Sequence, residues 1–193
     1  DGLGDIASQV RDNLKKVISF LLPVNGGESL SLMFAILFGL TLPITPLQIL
    51  WINMVSSVAL AMALAFEPPE PRVMRKPPRA INAPILSLFL IWRVVFVSLI
   101  FCVGIFGQFR MAQAQGADLE TARTIAVNTL VVMEIFYLFS VRYVHGSSLT
   151  LRGILGTKAV LWAVGIVTVL QFVFTYTPFM QFLFEARALS PMQ

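Results

Sequence analysis

Residues 17–40 read VISFLLPVNGGESLSLMFAILFGL, and their reading decides the fold. A hydrocarbon layer about 30 Å thick is crossed by a helix of roughly 20 apolar residues, and this run has that length. It also carries Pro23, Asn25, Gly26, Gly27 and Glu28 at its centre, an unusual group for a span facing lipid alone. Working outward, four more apolar runs of spanning length follow, at 46–66, 84–109, 124–141 and 159–176. Of the 193 residues, 57% are hydrophobic and 12% are charged. A water-soluble domain carries about a quarter charged residues, so this chain is not one. The fold class expected is an all-α integral membrane bundle of about five transmembrane helices, with the first span unwound near Pro23–Glu28.

The basic residues orient the spans. Arg11, Lys15, Lys16, Arg72, Arg75, Lys76, Arg79, Arg142, Arg152 and Lys158 fall on one side; Arg110, Arg123 and Arg187 fall on the other. By the positive-inside rule the richer side is cytoplasmic, which places the N-terminus there. Arg93 lies toward the basic end of the third run, where its stem can snorkel to the headgroups. Residues 1–16 read as a polar cytoplasmic segment without a secretory cleavage pattern, and 17–193 as the membrane domain. The missing initiator Met suggests a piece of a longer chain. The net charge of +4 is spread between apolar runs rather than gathered on one face, so no nucleic-acid partner is expected. One cysteine, Cys102, excludes a disulfide framework, and the single histidine, His145, excludes a His-pair metal site. Trp51, Trp92 and Trp162 read as interface or packing aromatics.

Ionisable groups inside a span are expensive and begin as functional candidates. Glu28 sits in mid-span with Asn25 three residues earlier. A helix broken by Pro23 and the two glycines would free backbone carbonyls beside that carboxylate, giving an oxygen-rich cation site. The competing reading is a proline kink whose glutamate is hydrogen-bonded to a neighbouring helix. In the second run Asn53, Ser56 and Ser57 follow i, i+3, i+4 spacing and share a face. They could offer neutral oxygens to the same ion or simply bond between helices. Glu134 is the lone charge in the fourth apolar stretch, either a further ligand, a proton carrier or the partner of a buried donor such as Arg93. No phosphate loop, Ser-His-Asp set or other catalytic residue is present in the sequence.

The run Leu47-Gln48-Ile49-Leu50-Trp51-Ile52-Asn53-Met54-Val55 and the later Phe66-Glu67-Pro68-Pro69-Glu70-Pro71-Arg72-Val73-Met74-Arg75-Lys76-Pro77-Pro78-Arg79 resemble the sixth span and following loop of cation-transporting P-type ATPases. The similar branch is that of the calcium and sodium/potassium pumps. Asn13-Leu14-Lys15-Lys16 and Asn25-Gly26-Gly27-Glu28 resemble the entry and centre of that family's fifth span, and Val132-Met133-Glu134 its eighth. The resemblance covers about residues 11 to 190 and implies spans five to nine of ten. It further implies that Asn25, Glu28, Asn53, Ser56 and Glu134 occupy cation-ligand positions. In the family, ATP phosphorylates a cytoplasmic aspartate, and the rearrangement alternates access to the mid-membrane site. The Asp-Lys-Thr-Gly motif, the nucleotide and actuator domains and the first four spans are not in these 193 residues, so ATP and Mg²⁺ would act only through those domains.

Ser57 stands where the calcium and sodium pumps place an aspartate. Two tight Ca²⁺ sites are therefore not expected, because hard dications favour several anionic oxygens. A single Ca²⁺-like divalent ion is favoured, with a monovalent ion or a proton as alternatives. The expected function is the cation-binding and translocating membrane portion of an ATP-driven pump, in a plasma (inner) membrane. The alternatives are a non-enzymatic pump-like subunit or regulator, and a small proton-coupled carrier using Glu28 and Glu134.

Overall fold

The computed structural model describes residues 2–66, 87–142 and 157–190. The proline-rich stretch of 67–79 and His145 lie outside the described residues. Among the described residues, five helices are long and apolar enough to cross a membrane: Gln9–Leu37, Pro46–Ala65, Leu88–Ala114, Leu119–Arg142 and Lys158–Tyr176. A short sixth helix, Pro178–Phe184, follows the fifth. The architecture is an all-helical integral membrane bundle.

Each helix ends where local chemistry requires it. Gly39 takes a left-handed φ of 60°, and the Leu40 amide reaches back to the Ala35 carbonyl at 2.8 Å, closing the first helix. Five residues later Thr45 caps the second, with Pro46 at the first helical position. The Thr45 hydroxyl accepts from the Gln48 amide, and the Gln48 side chain accepts from the Thr45 amide, a reciprocal capping box. Gln48 is fully buried because its amide group also donates to the Phe184 carbonyl at 3.0 Å. Gly116 (φ 86°) closes the third helix and Asp118 caps the fourth, accepting from the Thr121 amide at 3.0 Å. Residues 110–123 are therefore the end of one helix, a tight turn and the start of the next.

The first helix is the hub, packed against the second, third and fourth, while the third also lies along the fourth and the fifth along the second. The buried core runs through their facing sides, from Phe20 and Val24 to Ile52, Leu60, Phe101, Ile105, Leu130 and Phe174. Trp51 is buried between Phe174 and Phe184, each 5.4 Å away between ring centroids. Trp92 and Trp162 are exposed on the apolar exterior, the side a bilayer would cover.

One expectation about the first helix is corrected. The helix Gly2–Leu37 is continuous, so residues 23–28 are not unwound. Pro23 cannot donate to the Ser19 carbonyl four residues back. The Tyr137 hydroxyl donates there instead at 2.8 Å, so the helix runs on without an orphaned acceptor. The glycines serve contact rather than unwinding. A Cβ on Gly26 would stand 2.2 Å from the Ser98 Oγ, and one on Gly27 would stand 2.4 Å from the Phe101 Cβ. They let the third helix approach the first at backbone distance, the usual role of small residues between membrane helices. The irregular turn lies in the second helix, where Asn53–Ser57 forms a π-turn and the Val58 amide bonds to the Asn53 carbonyl five residues back.

Candidate cation site

Three helices bring five of the six predicted residues together. Glu28, 3% exposed, projects from the first helix, and its Oε2 accepts from the Asn53 side-chain amide at 2.8 Å. Asn53 opens the π-turn, and Ser56 and Ser57 on the same turn are buried. Ser57 donates to Glu134 Oε1 at 2.9 Å, and the Ser56 hydroxyl contacts Glu134 Oε2. Ser56 also lies 2.9 Å from the Ile52 carbonyl. Its single proton can serve one of those two acceptors at a time. Glu134, on the fourth helix, has no exposed surface. The widened turn thus bridges the carboxylates of two other helices.

Asn25 is not part of this cluster. It is exposed, and its amide donates to the Leu21 carbonyl of its own helix at 3.0 Å. On an unbroken helix the position three residues before Glu28 falls at the edge of the buried stripe, and the side chain bonds back locally. Arg93 does not reach Glu134 either. Its guanidinium donates to the carbonyl and hydroxyl of Ser140, at 3.2 and 3.3 Å, and lies 5.5 Å from the centre of the Tyr137 ring.

The donor set is hard and oxygen-based: two carboxylates, one amide and two hydroxyls. No group of three or more His, Cys, Asp or Glu that could hold a metal occurs among the described residues, so neutral oxygens would have to complete any coordination shell. One feature of the geometry points to a ligand. Glu28 Oε1 is buried and has no hydrogen-bond partner. Leaving a buried acceptor unsatisfied costs about 1–3 kcal/mol, more when it is charged, and a cation beside it relieves that cost.

Several polar residues that tie the helices to one another escaped the sequence reading. Tyr137 on the fourth helix and Ser98 on the third bond to the Ser19 and Pro23 carbonyls of the first. Asn13, also buried, donates to the Ala65 carbonyl at 2.9 Å and so ties the start of the first helix to the end of the second. Nearer the opposite ends of the helices, Asn128, Gln171 and Thr175 bond to one another, and Trp51 donates to Gln171 at 3.4 Å. Such residues resemble ordinary span filler in sequence. The available signal was that each, apart from Asn13 in its polar stretch, is polar within an apolar run.

Comparison with known proteins adds the remaining observation. Residues 41–193 match the family model described as cation transporting ATPase, C-terminus. The cation-transporting ATPase pma1 of Synechocystis is 39% identical over 95% of this chain, which corresponds to 21% of that protein. The probable cation-transporting ATPase F of Mycobacterium tuberculosis is 42% identical over 91% of the chain and 19% of its own length. The calcium-transporting ATPase of Bacillus subtilis is 33% identical over 94% of the chain, 20% of its length. The chain spans about a fifth of the relatives it matches.

Proposed function

Because this chain belongs to the family of cation-transporting ATPase C-terminal segments, we propose that its bundle is the ion-binding membrane portion of an ATP-driven pump. Glu28, Asn53, Ser56, Ser57 and Glu134 are the ligand residues in this reading. The junction of two buried carboxylates across one π-turn carries it, and the partnerless Glu28 Oε1 supports it. Rotation of Asn53 would turn its carbonyl oxygen toward the ion, and both serine hydroxyls keep lone pairs for it. Two carboxylates neutralise one divalent charge, so the cargo is a single Ca²⁺-like ion rather than a pair of such ions on these helices. The naming of one similar protein as a calcium-transporting ATPase agrees with that choice.

ATP and Mg²⁺ would act on cytoplasmic phosphorylation, nucleotide and actuator domains carried by the remainder of the protein. Their motion would enter through the N-terminal turns of the first helix, with the N-terminus cytoplasmic in a plasma membrane. Asn13 passes that motion to the end of the second helix, and so to the π-turn. The test is ATP hydrolysis by the full-length protein titrated in turn with Ca²⁺, Mn²⁺, Mg²⁺, Na⁺, K⁺ and H⁺. Activation by a divalent ion at low concentration, lost in Glu134→Gln, is the expected result. Activity indifferent to every ion would refute it.

A further inference from the structure

The first and fourth helices carry the two carboxylates, and the π-turn is one connection between them. A second connection lies about one turn from Glu134. A proline in a helix leaves the carbonyl four residues earlier without its usual donor. Here that carbonyl belongs to Ser19, and the donor that replaces the missing amide is the Tyr137 hydroxyl at 2.8 Å. The Tyr137 ring is wedged in place: Phe20 stacks on it at 5.9 Å, Phe101 meets it edge-on at 6.0 Å, and Arg93 covers it at 5.5 Å. Tyr137 is 8% exposed, so neither its hydroxyl nor the Ser19 carbonyl has ready recourse to water.

Tyr137 is three residues from Glu134 and so lies on the same face of the fourth helix. Ser19 is nine residues from Glu28, about 13.5 Å along the first. The pair therefore fixes how far the two acid-bearing helices slide or rotate against each other. Resting on the cation-site reading above, we infer that Tyr137 is a positioning residue for cation binding, acting through the carbonyl that Pro23 frees. The proline and the tyrosine form one device, since neither has this effect without the other.

That interdependence gives a test in the full-length protein. Tyr137→Phe keeps the ring and removes the hydroxyl. It is expected to weaken the apparent affinity for the activating cation about fivefold, the factor corresponding to a hydrogen bond of about 1 kcal/mol, with the maximal rate held within twofold. In a Pro23→Ala background the backbone amide restored at position 23 satisfies Ser19, and the same tyrosine change should then alter affinity by less than twofold. A parallel cycle of thermal stability reads the bond without reference to any ion. Equal losses of affinity in both backgrounds would overturn the inference, as would coupling in stability with no change in affinity. Should the Pro23→Ala protein not accumulate, Ser98→Ala serves as the comparison. The Pro23 carbonyl keeps its place in the helical ladder without Ser98, so an affinity loss as large as that of Tyr137→Phe would overturn the inference as well. A wild-type protein with no cation dependence would refute the site reading itself, a result distinct from failure of the tyrosine variant alone.

Discussion

Gly27→Ala adds one methyl group where the first and third helices approach closely. Its Cβ would stand 2.4 Å from the Phe101 Cβ, 3.3 Å from the Phe101 Cγ and 3.4 Å from the Ser98 carbonyl oxygen. Carbon atoms rest at about 3.5–4.0 Å, so the helices must part by about 1 Å. Phe101 cannot absorb the clash by changing rotamer, because its Cβ moves only with its backbone. Overpacking of this kind costs about 1–3 kcal/mol. The displaced residue adjoins Glu28, so the change also pulls that carboxylate from Asn53. The assay is thermal unfolding of the purified full-length protein, paired with the cation concentration giving half-maximal ATPase activity. Gly165→Ala is the control, since a Cβ there meets nothing within 4 Å and alanine improves helix propensity. A clear loss of stability together with weakened cation activation is expected for Gly27→Ala, and neither for Gly165→Ala. Equal behaviour of the two variants would refute the close-packing argument.

Ser57→Asp places a third carboxylate beside Glu134, whose Oε1 is 2.9 Å from the Ser57 hydroxyl. Divalent affinity should rise by about tenfold while stability without the ion falls, as like charges crowd one another; isothermal titration of both proteins measures the first and unfolding in chelator the second. Gln48→Ala leaves the Phe184 carbonyl and the Thr45 amide without their side-chain partner. A loss of about 2 kcal/mol is expected, read as faster proteolysis of the segment following residue 184. Asp118 has its carboxyl held below the ordinary value of 3.8, chiefly by hydrogen bonding from Thr121 and also by Arg187. The lowered value means that its contribution is present above pH 3.8 and is lost as pH falls through the folded-state value. Amide exchange at residues 119–122, corrected for its intrinsic pH dependence, should stay slow at neutral pH and accelerate below that window; Asp118→Ala should show the faster exchange at every pH.

The spans were legible because a membrane imposes one loud signal, length of apolar run, and caps such as Thr45-Pro46 mark where the second begins. The acidic and amide residues stood out for the same reason, so Glu28, Asn53, Ser56, Ser57 and Glu134 could be picked from their apolar surroundings. Local backbone behaviour was less legible. Pro23, Gly26 and Gly27 signal a broken helix only when no neighbour answers them. Here Tyr137 answers the proline, and the Ser98 and Phe101 side chains fill the space beside the glycines. The bonded pairs Ser98–Pro23 and Tyr137–Ser19 are 75 and 118 residues apart in sequence, beyond the reach of any local pattern. The π-turn at Asn53–Ser57 contains neither proline nor glycine, so nothing in its composition announces it. Asn25 was grouped with Glu28 by spacing, but spacing does not say where the buried stripe ends.

The central claim is that two carboxylates on separate helices share one transported cation. Equilibrium binding of ⁴⁵Ca²⁺ to the full-length protein, compared among wild type, Glu28→Gln, Glu134→Gln and the double variant, tests it most directly. The account predicts about one ion bound per wild-type chain. Each single variant should lose that binding, and the double variant should lose no more than either single one. Retention of the ion by both single variants would contradict the claim, as would two independent sites each abolished by a different glutamate.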